Sequence, residues 1–352
     1  MTPILLEYIW LDANENVRSK KRVYYGPVTT TNYKDLIRTI PKWSYDGSST
    51  DQATGTSSDI LLEPVNIFID PFNKNKKYQS YLVLCSNYDM SANPAIGNSR
   101  DNLVNMYKNL AGEEALFGIE QEYFLLETDI LGRDESIIGF EWSKHEYTDD
   151  DLTQGPFYCS IGYGKALGRR VADRHLYYCL DAGISICGYN AEVAPSQWEF
   201  QVGPLSPIEC SDQLIIARYI LERVSEEDGA IVSYYPKLFD TLNGSGGHVN
   251  YSTKSSRESG GLNVLEMYCE RLGKSHIEDM KDYGEFNLER LSGMYETSNY
   301  DTFSWGFSDR GKSIRIPLGV VNDGFGYLED RRPAANLNPY RVTMSILKST
   351  LK

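Results

Sequence analysis

Two acidic pairs, set at strand spacing among large apolar residues, constrain this chain more than any other feature. In Gly118-Ile119-Glu120-Gln121-Glu122-Tyr123-Phe124-Leu125-Leu126 the neighbours are mostly β-type. Side chains two apart on a strand point the same way, so Glu120 and Glu122 share a face. In the stretch Asn190 to Pro204, Pro195 fits the second position of a four-residue turn running from Ala194 to Gln197. The flanking strands then pair with Val193 opposite Trp198 and Glu192 opposite Glu199. Like charges that face each other across a hairpin are destabilising. A cation between them turns repulsion into coordination, and hard divalent ions such as Mg²⁺ or Mn²⁺ favour these oxygen ligands. The competing reading is a solvated acidic face. It loses ground because both pairs sit next to large apolar residues.

Other polar groups fall at the same spacing. His248, Asn250 and Ser252 alternate with Val249 and Tyr251, which puts three polar side chains on one strand face. They follow Asn243-Gly-Ser-Gly-Gly247, whose backbone N–H groups can approach an anion, although the Gly-Lys-Ser/Thr ending of a P-loop is missing. Arg310, Arg315, Arg331 and Arg332 cluster late in the chain, and Tyr327, Glu329 and Arg331 alternate. Arginine forks suit carboxylate and phosphate oxygens.

Bulk properties narrow the class. The chain has 352 residues, 41% of them hydrophobic, which is enough for one large domain or two ordinary ones. A net charge of -14 argues against a nucleic-acid partner. The six cysteines form no CxxC pair, and they read as six buried thiols in a reducing compartment. Met1 to Trp10 carries Glu7 and does not read as a signal peptide. No uncharged apolar run reaches the ~18 residues of a membrane span. The expectation is a soluble, cytoplasmic protein with no membrane partner.

Strand signals dominate the first hundred residues, over Ile4–Trp10, Arg22–Tyr25, Ile60–Ile69 and Tyr81–Cys85. Helices are expected from Ser99 to Leu110, Gly168 to Leu180, Ser211 to Val224 and Leu262 to Leu272, and after the Asn338-Pro339 start. Short strands lie between them. This is an α+β pattern: a β-rich unit over 1–97, then a larger mixed unit over 98–352.

Read together, these segments resemble glutamine synthetase in its short, eukaryotic-type form. The matching stretches are Trp43–Thr50, Phe117–Tyr123, Gln154–Cys159, Asn190–Pro204, Asn243–Thr253, Glu296–Asn299 and Arg310–Pro333, in the family's order. The resemblance implies a small N-terminal β-grasp domain and a large catalytic domain with a curved antiparallel sheet flanked by helices. It implies ATP-dependent ligation of ammonia to the side-chain carboxylate of glutamate through a γ-glutamyl phosphate, with two or more Mg²⁺ or Mn²⁺ ions per active site. One metal site would use Glu122, Glu192 and Glu199; the other would use Glu120, His248 and Glu329. Asn243, Gly244, Arg290, Arg310 and Arg331 would hold glutamate. Glu199, Asn250, Ser252, Arg315 and Tyr327 would serve the nucleotide. Arg315 and Arg331 would also absorb charge during phosphoryl transfer.

By the same carry-over, Asp46 and Glu296 would form the ammonium pocket, with Asp46 as the base and Glu296 on a flap. Asp46 would come from a neighbouring subunit. That implies a homo-oligomer, in the family's short form two stacked pentameric rings. The sequence departs from the family pattern at Tyr295, where many relatives have His, at Leu318, which replaces an Arg, and at Thr241-Leu242, which replaces Asn-Trp. Two alternatives compete: a related glutamate ligase using a larger amine, and a catalytically silent structural relative.

Overall fold

The computed structural model describes residues 3–26, 32–73, 77–128, 135–137 and 156–352. Gln154 and Gly155 of the Gln154–Cys159 stretch lie outside the described residues, as do the first two residues of the N-terminal segment. Two sheets organise the rest. The first joins β1 (Ile4–Leu11), β2 (Val17–Tyr24), β3 (Trp43–Asp46), β4 (Asp59–Ile69) and β5 (Gln79–Tyr88) in the order β2-β1-β5-β4-β3. Its central pair, β1 and β5, is parallel and the other neighbours are antiparallel. Ile4, Leu6, Tyr8 and Trp10 of β1 fill a core on one face; Ile9 and Leu11 join the main core on the other. Burial on both faces explains why β1 reads as a nearly unbroken apolar run.

The second sheet contains β6 (Leu116–Thr128), β7 (Glu135–Ile137), β8 (Ile186–Ala191), β9 (Gln197–Leu205), β10 (Ile231–Ser233), β11 (Gly247–Ser252), β12 (Trp305–Phe307), β13 (Ile314–Ile316) and β14 (Leu328–Asp330). Its main path runs β12-β13-β14-β11-β6-β9-β8, with β7 and β10 paired to the far end of β6. All pairs are antiparallel except β12 with β13. The sheet curves, with helices packed against it. The helices are α1 (Arg100–Tyr107), α2 (Arg169–Ala182), α3 (Pro207–Asp228), α4 (Gly261–Asp279), α5 (Asn287–Arg290), α6 (Leu318–Asp323) and α7 (Pro339–Leu351). This is the expected α+β class. No described helix is long and apolar enough to cross a membrane.

Helix α3 begins four residues before the expected Ser211. Ser206 caps it, accepting the Glu209 N–H at 3.4 Å, and Pro207 opens it. The helix is buried on most sides, which blurred its period. Within it, Asp212 is fully buried. It receives two bonds from Arg100 at 2.8 and 3.0 Å, one from Asn66 at 3.0 Å and one from the Tyr340 hydroxyl at 2.8 Å. One carboxylate thereby ties β4, α1 and α7 to α3. At α1, Ser99 makes no side-chain cap, and the helix stops at Tyr107 rather than Leu110.

Two expectations need correction. Four cysteines are buried, but Cys159 and Cys187 are exposed; Cys159 lies in the turn closed by Ser160 N–H on Phe157 O, and Cys187 lies on the terminal strand β8. The hairpin register also differs. The turn closes as expected, with Gln197 N–H donating to Ala194 O at 3.2 Å and Ser196 left-handed at φ 57°. However, Ala191 pairs with Trp198, Asn190 with Glu199, and Glu192 N–H donates to Gln197 O. The strands are thus offset by two residues from the expected pairing. A two-residue offset keeps each side chain on its face, so Glu192 stays beside Glu199 diagonally rather than directly opposite it.

Candidate active site

Four antiparallel strands present their alternating polar residues on one face. Glu122 of β6 lies directly opposite Glu199 of β9, and Glu120 is flanked by Gln201 on β9 and His248 on β11. The next row runs Gly118, Asn250, Glu329, Arg315 across β6, β11, β14 and β13. The facing acidic pair is therefore Glu122–Glu199, formed between β6 and β9, whose distance in sequence hid it.

The side chains converge on a cavity of about 280 Å³. His248 Nδ1 lies 3.5 Å from Glu120 Oε2, 3.7 Å from Glu329 Oε1 and 4.0 Å from Glu122 Oε1. Ligand atoms of Glu120, His248 and Glu329 all lie within 4.8 Å of one another, as do those of Glu122, Glu199 and His248. Glu192 lines the same cavity, its carboxylate held by Asn190 Nδ2 at 2.9 Å and by Val193 N–H at 3.2 Å.

Burial, and then the charges of Glu120, Glu122 and Glu192, push the Glu199 carboxyl up to about 9. Burial and then Glu192 raise Glu122 to about 8, although Gly246 N–H donates to it at 2.7 Å. Burial also raises Glu192 to about 7. His248 is held well below its usual range by burial and then by Arg331, which leaves a neutral imidazole. Desolvated carboxylates that repel one another, beside a neutral imidazole, are a donor set suited to divalent cations.

Arginines face this cluster. Fully buried Glu329 accepts from Arg315 Nε and, at 2.8 Å, from Arg331 Nη1. Arg290 is buried, and its Nη2 donates to the carbonyls of Arg331, Arg332 and Pro333. Asn243 Oδ1 is buried at the cavity with no hydrogen-bond partner among the described residues. A Cβ on neighbouring Gly244 would lie 2.3 Å from Pro236 O, so only glycine fits there. Glu296 and Tyr295 also line the cavity, with left-handed φ of 59° and 56°, in a loop closed by the Ser292–Asn299 bridge. Arg310 is exposed at the rim, and its carbonyl accepts from Arg331 Nε at 3.1 Å.

Asp46 lies outside this cavity. It is exposed at the end of edge strand β3, and Ser48 (through its hydroxyl and N–H) and the Ser49 hydroxyl lower its pKa to about 2. Of the departures noted above, Leu318 is exposed at the start of α6. Leu242 is fully buried in a satellite core with Phe124, Leu126 and Ala194.

A second cavity of about 370 Å³ shares the same strands and is largely apolar. Asn250, Ser252 and Tyr327 line it, together with Cys187, Gln201 and Arg257, which sequence reasoning missed. Arg257 Nη1 donates to Ser252 Oγ at 2.9 Å. Gln197 was also missed: it sits two residues before Glu199 and its Nε2 reaches Glu122, Gly244 O and Ser245. The period-two rule that found Glu199 finds Gln197 as well. Arg257 carries no such signal, because it comes from the turn after β11.

The back of β6 is fixed by Gln121 and Arg218. Arg218, buried on α3, donates to Gln121 Oε1, Leu337 O and Ala335 O; Gln121 in turn donates to Glu122 O and Ala335 O.

Residues 98–264 match the family described as glutamine synthetase, catalytic domain. The chain is 44% identical over 352 residues to glutamine synthetase cytosolic isozyme 1-3 of Arabidopsis thaliana, covering 99% of this chain and 94% of the relative. It is 45% identical over 355 residues to glutamine synthetase root isozyme B of Pisum sativum, covering 99% and 94%. It is 44% identical over 349 residues to glutamine synthetase of Emericella nidulans, covering 99% and 92%. With this identity along nearly its whole length, and with the carboxylate-lined sheet just described, the chain belongs to the glutamine synthetase family.

Proposed function

We propose that the chain joins ammonia to the side-chain carboxylate of glutamate, with ATP as the activating substrate and divalent metal at the carboxylate cavity. The observation that carries this reading is the convergence of Glu120, Glu122, Glu199 and His248 from three strands on one cavity, with buried Glu329 of a fourth strand beside Glu120 and His248.

A carboxylate resists nucleophiles because its charge repels them and oxide leaves poorly. Phosphorylation by ATP forms a C–O–P anhydride and makes phosphate the leaving group. Positioning and charge neutralisation dominate such a transfer. Glu120, His248 and Glu329 would hold one metal, and Glu122, Glu192 and Glu199 the other; the metals would neutralise phosphate charge and polarise the attacked oxygens. Mg²⁺ and Mn²⁺ both fit the donor set.

Arg331 and Arg315 are anchored on Glu329, which fixes their forks for the phosphoryl oxygens. Asn243, Gly244, Arg290 and Arg310 would bind glutamate; the unpartnered Asn243 Oδ1 suits an ammonium donor. Glu199 and Arg315 would serve the nucleotide's phosphates. Asn250, Ser252 and Tyr327 would hold the rest of ATP in the apolar cavity.

Ammonium must lose a proton before it attacks. Glu296, on the loop over the cavity, would stabilise the cationic nitrogen, and Asp46 would take the proton. Because Asp46 is exposed on the N-terminal sheet, a second copy of the chain would supply it. This supports a ring oligomer, which we assign to two stacked pentamers, and a domain division into 1–97 and 98–352.

Incubation with glutamate, ATP, Mg²⁺ and either ammonium or hydroxylamine tests the reading. The expected products are glutamine and γ-glutamyl hydroxamate, each with ADP and phosphate. Turnover with larger amines but not with ammonium would reassign the substrate. No product from a folded protein with any amine would refute the reading.

A further inference from the structure

We infer that Lys237 and Tyr295 form a latch that holds the Glu296 loop over the cavity and shields the acyl phosphate from water; this rests on the ligase reading above. Lys237 Nζ lies 4.1 Å from the centroid of the Tyr295 ring. The same ammonium donates to Leu242 O, one residue before Asn243. A single cation thus joins the loop that carries Glu296 to the loop that carries Asn243 and Gly244. Both loops line the carboxylate cavity.

Each anchor is itself fixed. Leu242 is fully buried under β6, and Ser245 N–H donates to Pro236 O at 2.8 Å, which closes the 236–245 loop on itself. On the other side, Tyr295 and Glu296 are both left-handed, a backbone state that non-glycine residues hold only when surrounding contacts enforce it. Thr297 N–H donates to Met294 O, Tyr300 N–H to Leu291 O, and Arg331 Nη2 to Glu296 O at 3.2 Å. These bonds shape the loop and tie its backbone to Arg331. Lys237 alone, among the described contacts, bridges its Tyr295 side chain to the loop that carries Asn243. Partial burial strengthens a cation over an aromatic face. Burial also lowers the Lys237 pKa, as expected of an ammonium withdrawn from water.

The consequence concerns partitioning. After phosphoryl transfer the γ-carbonyl carbon can be attacked by ammonia or by water. Ammonia forms the C–N bond, breaks the C–O bond to phosphate, and gives glutamine, phosphate and a proton. Water breaks the same C–O bond but returns glutamate and phosphate, so ATP is spent without product. A closed loop excludes water. Lys237 and Tyr295 are therefore positioning residues whose loss opens the second route.

The test is the ratio of phosphate released to glutamine formed, measured with the full-length protein at saturating ATP and glutamate. Wild type should give a ratio near one. Lys237→Gln and Tyr295→Leu should each raise it by at least about twofold, the effect of losing one cation–π contact. Lys237→Arg, which keeps a cation over the ring, should restore it. The double variant should be no worse than either single one, because both remove the same contact. Variants that turn over slowly with the wild-type ratio would overturn the latch and leave the ligase reading standing. Wild-type protein that makes no glutamine would remove the ligase reading itself.

Discussion

The two cavities share a floor but differ in chemistry. One strand contributes Gly118 to the apolar cavity and Glu120 and Glu122 to the charged one; another contributes Asn250 and Ser252 to the first and His248 to the second. A shift of two residues along a strand changes the lining from carboxylates and imidazole to a largely apolar surface. On the proposed reading the sheet would lay the nucleotide and the amino acid end to end, with the row that carries Glu329 and Arg315 between them. Shape and apolar area govern one end, and like-charge repulsion governs the other. Substitutions at the two ends should therefore fail in different ways.

The largest effect is expected at the junction. Glu329→Ala removes a proposed metal ligand and takes away the carboxylate partner of Arg315 and Arg331. Glutamine formation should fall by more than about 100-fold, the upper end for losing an outer-shell partner of a metal site. Metal titration should show weakened binding in the same variant. Glu296→Ala should follow, with a loss of roughly 100-fold in glutamine formation, as for removal of one electrostatic stabiliser. Normal turnover in either variant would break the division of labour between the cavities. At the apolar end, Tyr327→Ala should raise KM for ATP by about tenfold through lost base stacking and leave KM for glutamate unchanged. An equal change in both constants would show that the cavities do not act separately.

The electrostatic contrast has a pH signature. Folded-state values of about 9, 8 and 7 for Glu199, Glu122 and Glu192 lie above the ordinary 4.5. Between 4.5 and about 9 the metal-free folded protein therefore binds more protons than the unfolded chain. Stability contributed by these groups is highest below 4.5 and is lost as pH rises through that window. The melting temperature of metal-free protein should fall across it, and saturating Mg²⁺ should flatten the slope. A slope of the same size with and without metal would show that the carboxylates are not the metal's partners. The smallest effect is expected at Leu318, exposed and outside both cavities: Leu318→Ala should shift stability by less than about 0.5 kcal/mol.

Sequence reasoning located much of this arrangement because a strand's period is short and unforgiving. Glu120 with Glu122, and His248 with Asn250 and Ser252, share faces that two-residue spacing predicts. The acidic confrontation was legible only in kind. Spacing suggested Glu192 against Glu199, whereas the closest pairing sets Glu122 against Glu199 across strands more than seventy residues apart. Non-local pairing leaves no trace in a local pattern. The two-residue offset of the hairpin was equally silent. Arg257 and Cys187 enter the apolar cavity through a turn and an edge strand, which have no fixed period. Arg218 carried a helical signal, but its bonds to Gln121 and to the 335–337 backbone depend on tertiary packing.

Direct counting of bound Mn²⁺ tests the central claim, that carboxylates from separate strands gather to hold divalent cations. Titration of metal-free protein, followed by the electron paramagnetic resonance of free Mn²⁺, should reveal at least two ions bound per chain, and fewer in Glu122→Gln and Glu329→Ala. Folded wild-type protein that binds none, or variants that bind as many as wild type, would contradict the account.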